Sequence, residues 1–115
     1  MQIQELFAVA CVSDMARSVK WYARLIGREP DDRPMVGLVQ WHGLSGAGLQ
    51  LVLDPEKAGT SLITIVTPKM DRARETLSTV KLELEPDIQG DFGIIAQAND
   101  PDGNRITLAE PPQGI

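Results

Sequence analysis

Residues 13–27 read Ser13-Asp14-Met15-Ala16-Arg17-Ser18-Val19-Lys20-Trp21-Tyr22-Ala23-Arg24-Leu25-Ile26-Gly27, and their spacing decides the fold. Ala16, Val19, Ala23 and Ile26 recur at intervals of 3, 4 and 3, which is one face of an amphipathic helix. Ser13 offers a hydroxyl to cap its start, and Asp14 brings negative charge to its positive end. Gly27 stops it, because glycine takes the left-handed conformation without steric cost. Upstream, residues 5–12 are apolar on both faces, which predicts a strand buried on both sides. Downstream, residues 35–42 and 49–53 read as strands around the glycine-rich turn 43–48.

After the polar break at residues 55–60 the pattern restarts. Ser61 to Val66 predicts a strand, Thr67 a helix cap, and Pro68 a first helical position, where a missing N–H costs nothing. Met70, Ala73, Leu77 and Val80 repeat the 3, 4, 3 spacing. Residues 81–88 predict a weaker edge strand because Pro86 interrupts them. Residues 92–99 and 105–110 predict strands joined by the tight turn Asp100-Pro101-Asp102-Gly103-Asn104, and residues 111–115 a loose tail. Shifted by 54, Ser13 falls on Thr67, Val19 on Ala73, Ala23 on Leu77 and Ile26 on Val80. Shifted by 57, Leu49-Gln50-Leu51 falls on Ile106-Thr107-Leu108. The reading is α+β, two βαβββ modules at about 5–54 and 61–110, joined by a linker at 55–60 within one domain spanning 1–115.

Composition excludes several function classes. The 115 residues suffice for one core and are too few for two ordinary domains. With 43% hydrophobic and 23% charged residues the chain is globular in type, not disordered. A net charge of −5 without a dense Lys/Arg run argues against a nucleic-acid partner. No apolar run approaches the ~20 residues of a membrane span, and the first residues lack a signal-peptide pattern, so a cytoplasmic location is expected. Cys11 has no second cysteine to pair with, and with His42 alone it cannot build a usual zinc site. No Gly-x-Ser-x-Gly elbow, phosphate loop or dinucleotide fingerprint is present, and no catalytic residue is assigned.

Three segments carry a family likeness: Val12-Ser13-Asp14 leading through Trp21-Tyr22 to Leu25-Ile26-Gly27, Gly48-Leu49-Gln50-Leu51, and Asp100-Pro101-Asp102-Gly103-Asn104-Arg105-Ile106-Thr107-Leu108. Together they resemble the vicinal oxygen chelate superfamily, the glyoxalase/bleomycin resistance/extradiol dioxygenase group. The resemblance implies curled mixed sheets around a cup-shaped cavity for a small organic molecule, and two chains paired as a homodimer. In metal-dependent members the ligands come from the first and last strand of each module. Those places correspond here to Phe7, Gln50, Ser61 and Thr107, none of them histidine or carboxylate. No metal and no cofactor are therefore expected.

A cup also follows from the strand at 5–12, whose second apolar face a helix cannot cover. If the turn 43–48 is symmetric, residues whose numbers sum to 91 pair, which sets Trp41 opposite Gln50 and points His42 away. The same rule, with a sum near 203, sets Thr107 opposite Ala96. Phe7, Trp41, Gln50, Ser61 and Thr107 would then line one pocket for a neutral or mildly polar ligand. Trp41 reads equally as core, and Ser61 and Thr107 equally as groups that satisfy each other or a water. Cys11 reads as a small buried hydrophobe. The leading functional expectation is a metal-free binding protein, sequestering a toxin or antibiotic as the bleomycin-resistance branch does. The alternatives are a metal-dependent lyase, isomerase or dioxygenase of the same group, and a structural or regulatory α+β dimer with a filled cavity.

Overall fold

A computed structural model describes residues 1–112; the expected loose tail lies outside the described residues from 113 onward. The first module runs β1 (Leu6–Val12), α1 (Met15–Ile26), β2 (Asp32–Met35), β3 (Leu38–Leu44) and β4 (Ala47–Leu53). The second runs β5 (Leu62–Val66), α2 (Met70–Thr79), β6 (Ile88–Gly90), β7 (Gly93–Asn99) and β8 (Arg105–Glu110). Each forms a four-stranded mixed sheet, ordered β1-β4-β3-β2 and β5-β8-β7-β6. In both, the first strand pairs in parallel with the last, and the last pairs antiparallel with the third. The helix is the crossover that a parallel pair requires. Both sheets are open, and each carries its helix on one face only.

The core lies on the helix side. Ala10, Val12, Val39, Trp41, Leu49 and Leu51 of the first sheet are buried with Val19, Trp21 and Tyr22 of α1. Ile63, Ala96, Ala98, Ile106 and Leu108 of the second are buried with Met70 and Leu77 of α2. Several element ends differ from expectation. Asp14, not Ser13, caps α1 by accepting from Arg17 N at 3.1 Å. Ser13 instead donates to the Asp102 carboxylate. Thr67 does not cap α2, and Pro68 lies outside it. The helix starts after Lys69, and the Glu110 carboxylate of β8 accepts from Met70 N at 2.6 Å. β6 is confined to three residues after Pro86, since proline cannot donate to a ladder.

The Asp100–Asn104 turn fastens the two modules together. Asn104 is fully buried; its side-chain oxygen accepts from Gly59 N and Ser61 N at 3.0 and 2.8 Å. Its amide nitrogen donates to the Cys11 carbonyl and to Asp100, each at 2.7 Å. Tyr22 of α1 donates its hydroxyl to the same Asp100 carboxylate at 2.6 Å. Burial, with the Asp100 hydrogen bond second, pushes the Tyr22 phenol well above its usual pKa, so it remains a donor. Ser61 Oγ accepts from Cys11 N at 3.0 Å, joining the end of β1 to the start of β5. Buried polar groups of two modules thus satisfy one another, as desolvated donors and acceptors must.

Candidate functional site

The strand registers decide which side chains share the face that no helix covers. In the first sheet Val9, Gln50 and Gln40 lie in one cross-strand row, and Phe7 lies beside Gly48. Trp41 pairs with Leu49, not with Gln50. The turn does pair Leu44 with Ala47, but a register shift between Trp41 and Leu44 slips the rest of the hairpin by one residue. A one-residue slip exchanges the two faces of a strand. Trp41 is accordingly in the helix-side core, 0% exposed, with its indole N–H donating to the Arg28 carbonyl at 2.9 Å. His42, expected to point away, stands on the helix-free face, its ring edge-on to Phe7 at 5.5 Å between centroids.

In the second sheet Thr107 pairs with Gln97 rather than Ala96, in the row Thr64–Thr107–Gln97. Ser61 precedes β5, and its hydroxyl is engaged at the module junction. Of the five residues singled out in the sequence, Phe7, Gln50 and Thr107 therefore stand on helix-free faces, while Trp41 and Ser61 do not. Cys11, read as a buried small hydrophobe, is half-buried on the helix-free face in the row with Val52 and Leu38.

These faces carry ordered polar chains. On the first, Gln50 Nε2 donates to Gln40 Oε1 at 2.8 Å, and Gln40 Nε2 donates to Asp32 Oδ1 at 3.0 Å. His42 is held between two acids, Nδ1 against Glu5 at 2.8 Å and Nε2 against Asp32 at 2.9 Å. Those hydrogen bonds, Glu5 first and Asp32 second, raise its pKa above the ordinary imidazole value. The neighbouring Asp31 carboxyl is held below its usual range, chiefly by the Arg28 guanidinium and then by His42 N. On the second face Arg105 bonds Glu85 at 2.9 Å and Gln97 Oε1 at 2.5 Å, and Gln97 Nε2 donates to Thr107 Oγ1 at 3.0 Å. Arg105 holds Glu85 below the usual carboxylate range.

Gln40, Gln97 and Arg105 were not among the expected site residues, and His42 was expected on the other face, because these faces depend on register. One signal was available: Gln40 and Gln97 are 57 apart, the same shift that relates Gln50 to Thr107.

Apolar groups surround these chains. Leu62 is 82% exposed, Val66 67% and Val9 41%, with Ile88 and Phe92 also exposed. Gly48 has a packing reason: a Cβ there would sit 2.6 Å from the Phe7 ring and 2.8 Å from the Trp41 carbonyl. A separate apolar cleft of ≈ 490 Å³ opens on the helix side, between Tyr22, Leu25 and Ile26 of α1 and Ile63 to Val66 of β5.

The donor set does not fit the metal that the resemblance implies. On the first and last strand of each module the neighbour of Gln50 is Val9 and that of Thr107 is Thr64, so those strands supply an amide, two hydroxyls and an alkyl group in these rows. Divalent ions of this chemistry need imidazole or carboxylate donors. Glu5 and Asp32 lie against opposite nitrogens of His42, so the three cannot converge on one ion. Among the described residues no group of three His, Cys, Asp or Glu side chains is arranged to hold a metal.

Comparison with known proteins agrees with this architecture. A glyoxalase/bleomycin resistance protein from Catenulispora acidiphila DSM 44928 superposes with a TM-score of 0.86 at 29% identity, covering 96% of this chain and 100% of that one. The antibiotic binding protein TnmS3 from Streptomyces sp. CB03234 superposes at 0.78 with 24% identity, covering 97% of each chain. A lactoylglutathione lyase from Agrobacterium tumefaciens reaches 0.76 at 15% identity, covering 91% of each. No protein-family profile matches the chain, and no curated protein sequence does. The paired βαβββ modules are those of the vicinal oxygen chelate superfamily, the glyoxalase/bleomycin resistance/dioxygenase group. Within it, the likeness in sequence is to a protein of glyoxalase/bleomycin resistance type. No helix of the described residues is long and apolar enough to cross a membrane.

Proposed function

We propose that this protein binds a small organic molecule on its helix-free sheet faces, without the metal site of its superfamily, and that it does so as a homodimer. The observation that carries the reading is the composition of those faces: an amide and a hydroxyl anchored by ordered side chains, set among exposed aliphatic and aromatic groups. Mostly apolar surface with a few fixed polar groups is what small-ligand sites use. Phe7, Gln50 and Thr107 are the proposed contacts. A bare sheet face cannot enclose a ligand, and exposed apolar area of this kind favours a covering partner. A second copy supplies the missing wall most simply, since a symmetric pair buries the same patch twice. Sequestration of a toxin or antibiotic fits such a site, and an antibiotic binding protein among the structural neighbours supports it.

The test is elemental analysis of purified protein after incubation with zinc, nickel, manganese and iron(II), with sedimentation velocity on the same sample. The reading expects no stoichiometric metal and a dimer at micromolar concentration. Chelator-sensitive metal at one per chain, or a monomer throughout, would overturn it.

A further inference from the structure

β1 and β5 meet at one end and part at the other. Where they meet, Cys11 N donates to Ser61 Oγ and the Cys11 carbonyl accepts from Asn104. Away from that junction the helix-side stripe of each strand loses its cover. In β1 Val12 and Ala10 are buried, whereas Ala8 and Leu6 are exposed; in β5 Ile63 is buried and Ile65 is exposed. The wedge between them is the cleft of ≈ 490 Å³ walled by Tyr22, Leu25 and Ile26 of α1. None of its lining residues is charged, and the Tyr22 hydroxyl is already spent on Asp100. One border of the wedge is an open strand edge: among the described residues no further strand pairs with the free side of β1 or of β5. The Ser61 carbonyl accepts from Arg105 N, and Thr67 N donates to the Ala109 carbonyl, so odd-numbered peptides of β5 face β8. Peptide direction alternates along a strand, which turns the N–H and C=O of Thr64 and Val66 toward the free edge. Their side chains belong to the helix-free face, so these residues border the cleft with their peptide groups.

We infer that this wedge is a second binding site, on the side of the sheets opposite the proposed ligand faces and independent of them, for a neutral, mostly apolar small molecule that carries a cyclic amide. The volume lies within the range of small-ligand sites, about 300–1,000 Å³, and the place, between two modules of one chain, is where such sites form. The uncharged lining sets the ligand's charge, because an ion would give up its hydration for walls that offer no counter-charge. The open edge sets its polar group. A strand residue presents its N–H and C=O on one side, and a ring amide offers the matching acceptor and donor side by side. Ala8 keeps the wedge open, since a larger side chain at that point of β1 would enter it.

Three bicyclic probes test the site and the class: 2-quinolone, a neutral ring amide; N-methyl-2-quinolone, which lacks the N–H; and 2-naphthoate, which is charged. Each is titrated into the intact protein carrying ¹⁵N and methyl ¹³C labels. 2-Quinolone is expected to shift the methyls of Leu25 and Ile65 and the backbone amides of Thr64 and Val66, and to leave the side-chain amides of Gln40 and Gln50 in place. It is expected to bind about tenfold more tightly than N-methyl-2-quinolone, the worth of one hydrogen bond. Its advantage over 2-naphthoate is expected to be about tenfold or more. Ala8→Leu fills the wedge from β1, and is expected to weaken 2-quinolone by about tenfold or more without changing the sedimentation of the protein. No shift at Leu25 and Ile65 with any probe, or shifts confined to the glutamine amides, would overturn the site. Equal affinity for 2-naphthoate would overturn the neutral class, and equal affinity for N-methyl-2-quinolone the pairing with the strand edge. A change of oligomeric state in Ala8→Leu would make the wedge a contact between copies and overturn the inference. The wild-type arms do not depend on the variant folding.

Discussion

The two modules share one topology but obtain their helices differently. α1 carries its own signals: Asp14 accepts from Arg17 N at the start, and Gly27, at φ +94°, closes the end through its N–H to the Ala23 carbonyl. α2 has no side-chain cap of its own. Its first N–H is satisfied by Glu110, forty residues later, and its end turns through Lys81, a non-glycine residue at φ +60°. The first helix is specified locally and the second by tertiary contact. Unsatisfied end groups of a helix must find partners somewhere, and the fold can supply what the neighbouring sequence does not.

The largest effect on this comparison should come from the junction that makes the two modules one unit. Asn104→Ala removes acceptors from Gly59 N and Ser61 N and a donor from the Cys11 carbonyl and Asp100, all in a buried setting. Leaving several buried groups unpaired costs about 3 kcal/mol or more in denaturant unfolding. Probes in the two modules are expected to keep a common transition in the wild type and to separate in the variant. A loss below about 1 kcal/mol would show that the modules hold together by apolar contact alone.

Cap removal sharpens the contrast between the helices. Asp14→Ala and Glu110→Gln should each cost about 1 kcal/mol. They differ in reach: amide exchange is expected to rise only in α1 for Asp14→Ala, but in both α2 and β8 for Glu110→Gln. Protection lost in α2 alone would mean that Glu110 serves the helix without tying it to the strand.

The smallest effect concerns the His42 clamp, which has no counterpart described in the second module. Its folded pKa is raised by Glu5 and Asp32. A histidine raised on folding contributes stability that is fully present below its unfolded pKa of about 6.5, and that contribution is lost as pH rises through the higher folded value. An NMR titration of the His42 ring should give a midpoint above 6.5, and stability at pH 6 should exceed that at pH 8.5 by more in the wild type than in His42→Asn. A midpoint at or below the ordinary value would mean that Glu5 and Asp32 do not hold the ring in solution.

Part of the site was legible in the residues and part was not. Phe7 and Gln50 share parity with Val9 and Val52, so alternation alone puts them on definable faces. Trp41 and His42 could not be placed that way, because one extra residue near Gly43 in β3 exchanges their sides. Ser61 looked like a pocket hydroxyl by its place at the start of a strand; only the meeting of β1 with β5 shows that Cys11 N occupies it. The Asp100–Asn104 sequence announced a tight turn, and nothing local revealed that Asn104 would hold three separate segments together.

By itself the sequence determined the two βαβββ units, because hydrophobic spacing and, in the first unit, the glycine stop at Gly27 act over a few residues and leave their record in the order of side chains. The tertiary structure alone decided the hairpin registers and the junction. Those depend on which residue stands opposite which across strands, and with a side-chain period of two, a slip of one residue is enough to reverse the face.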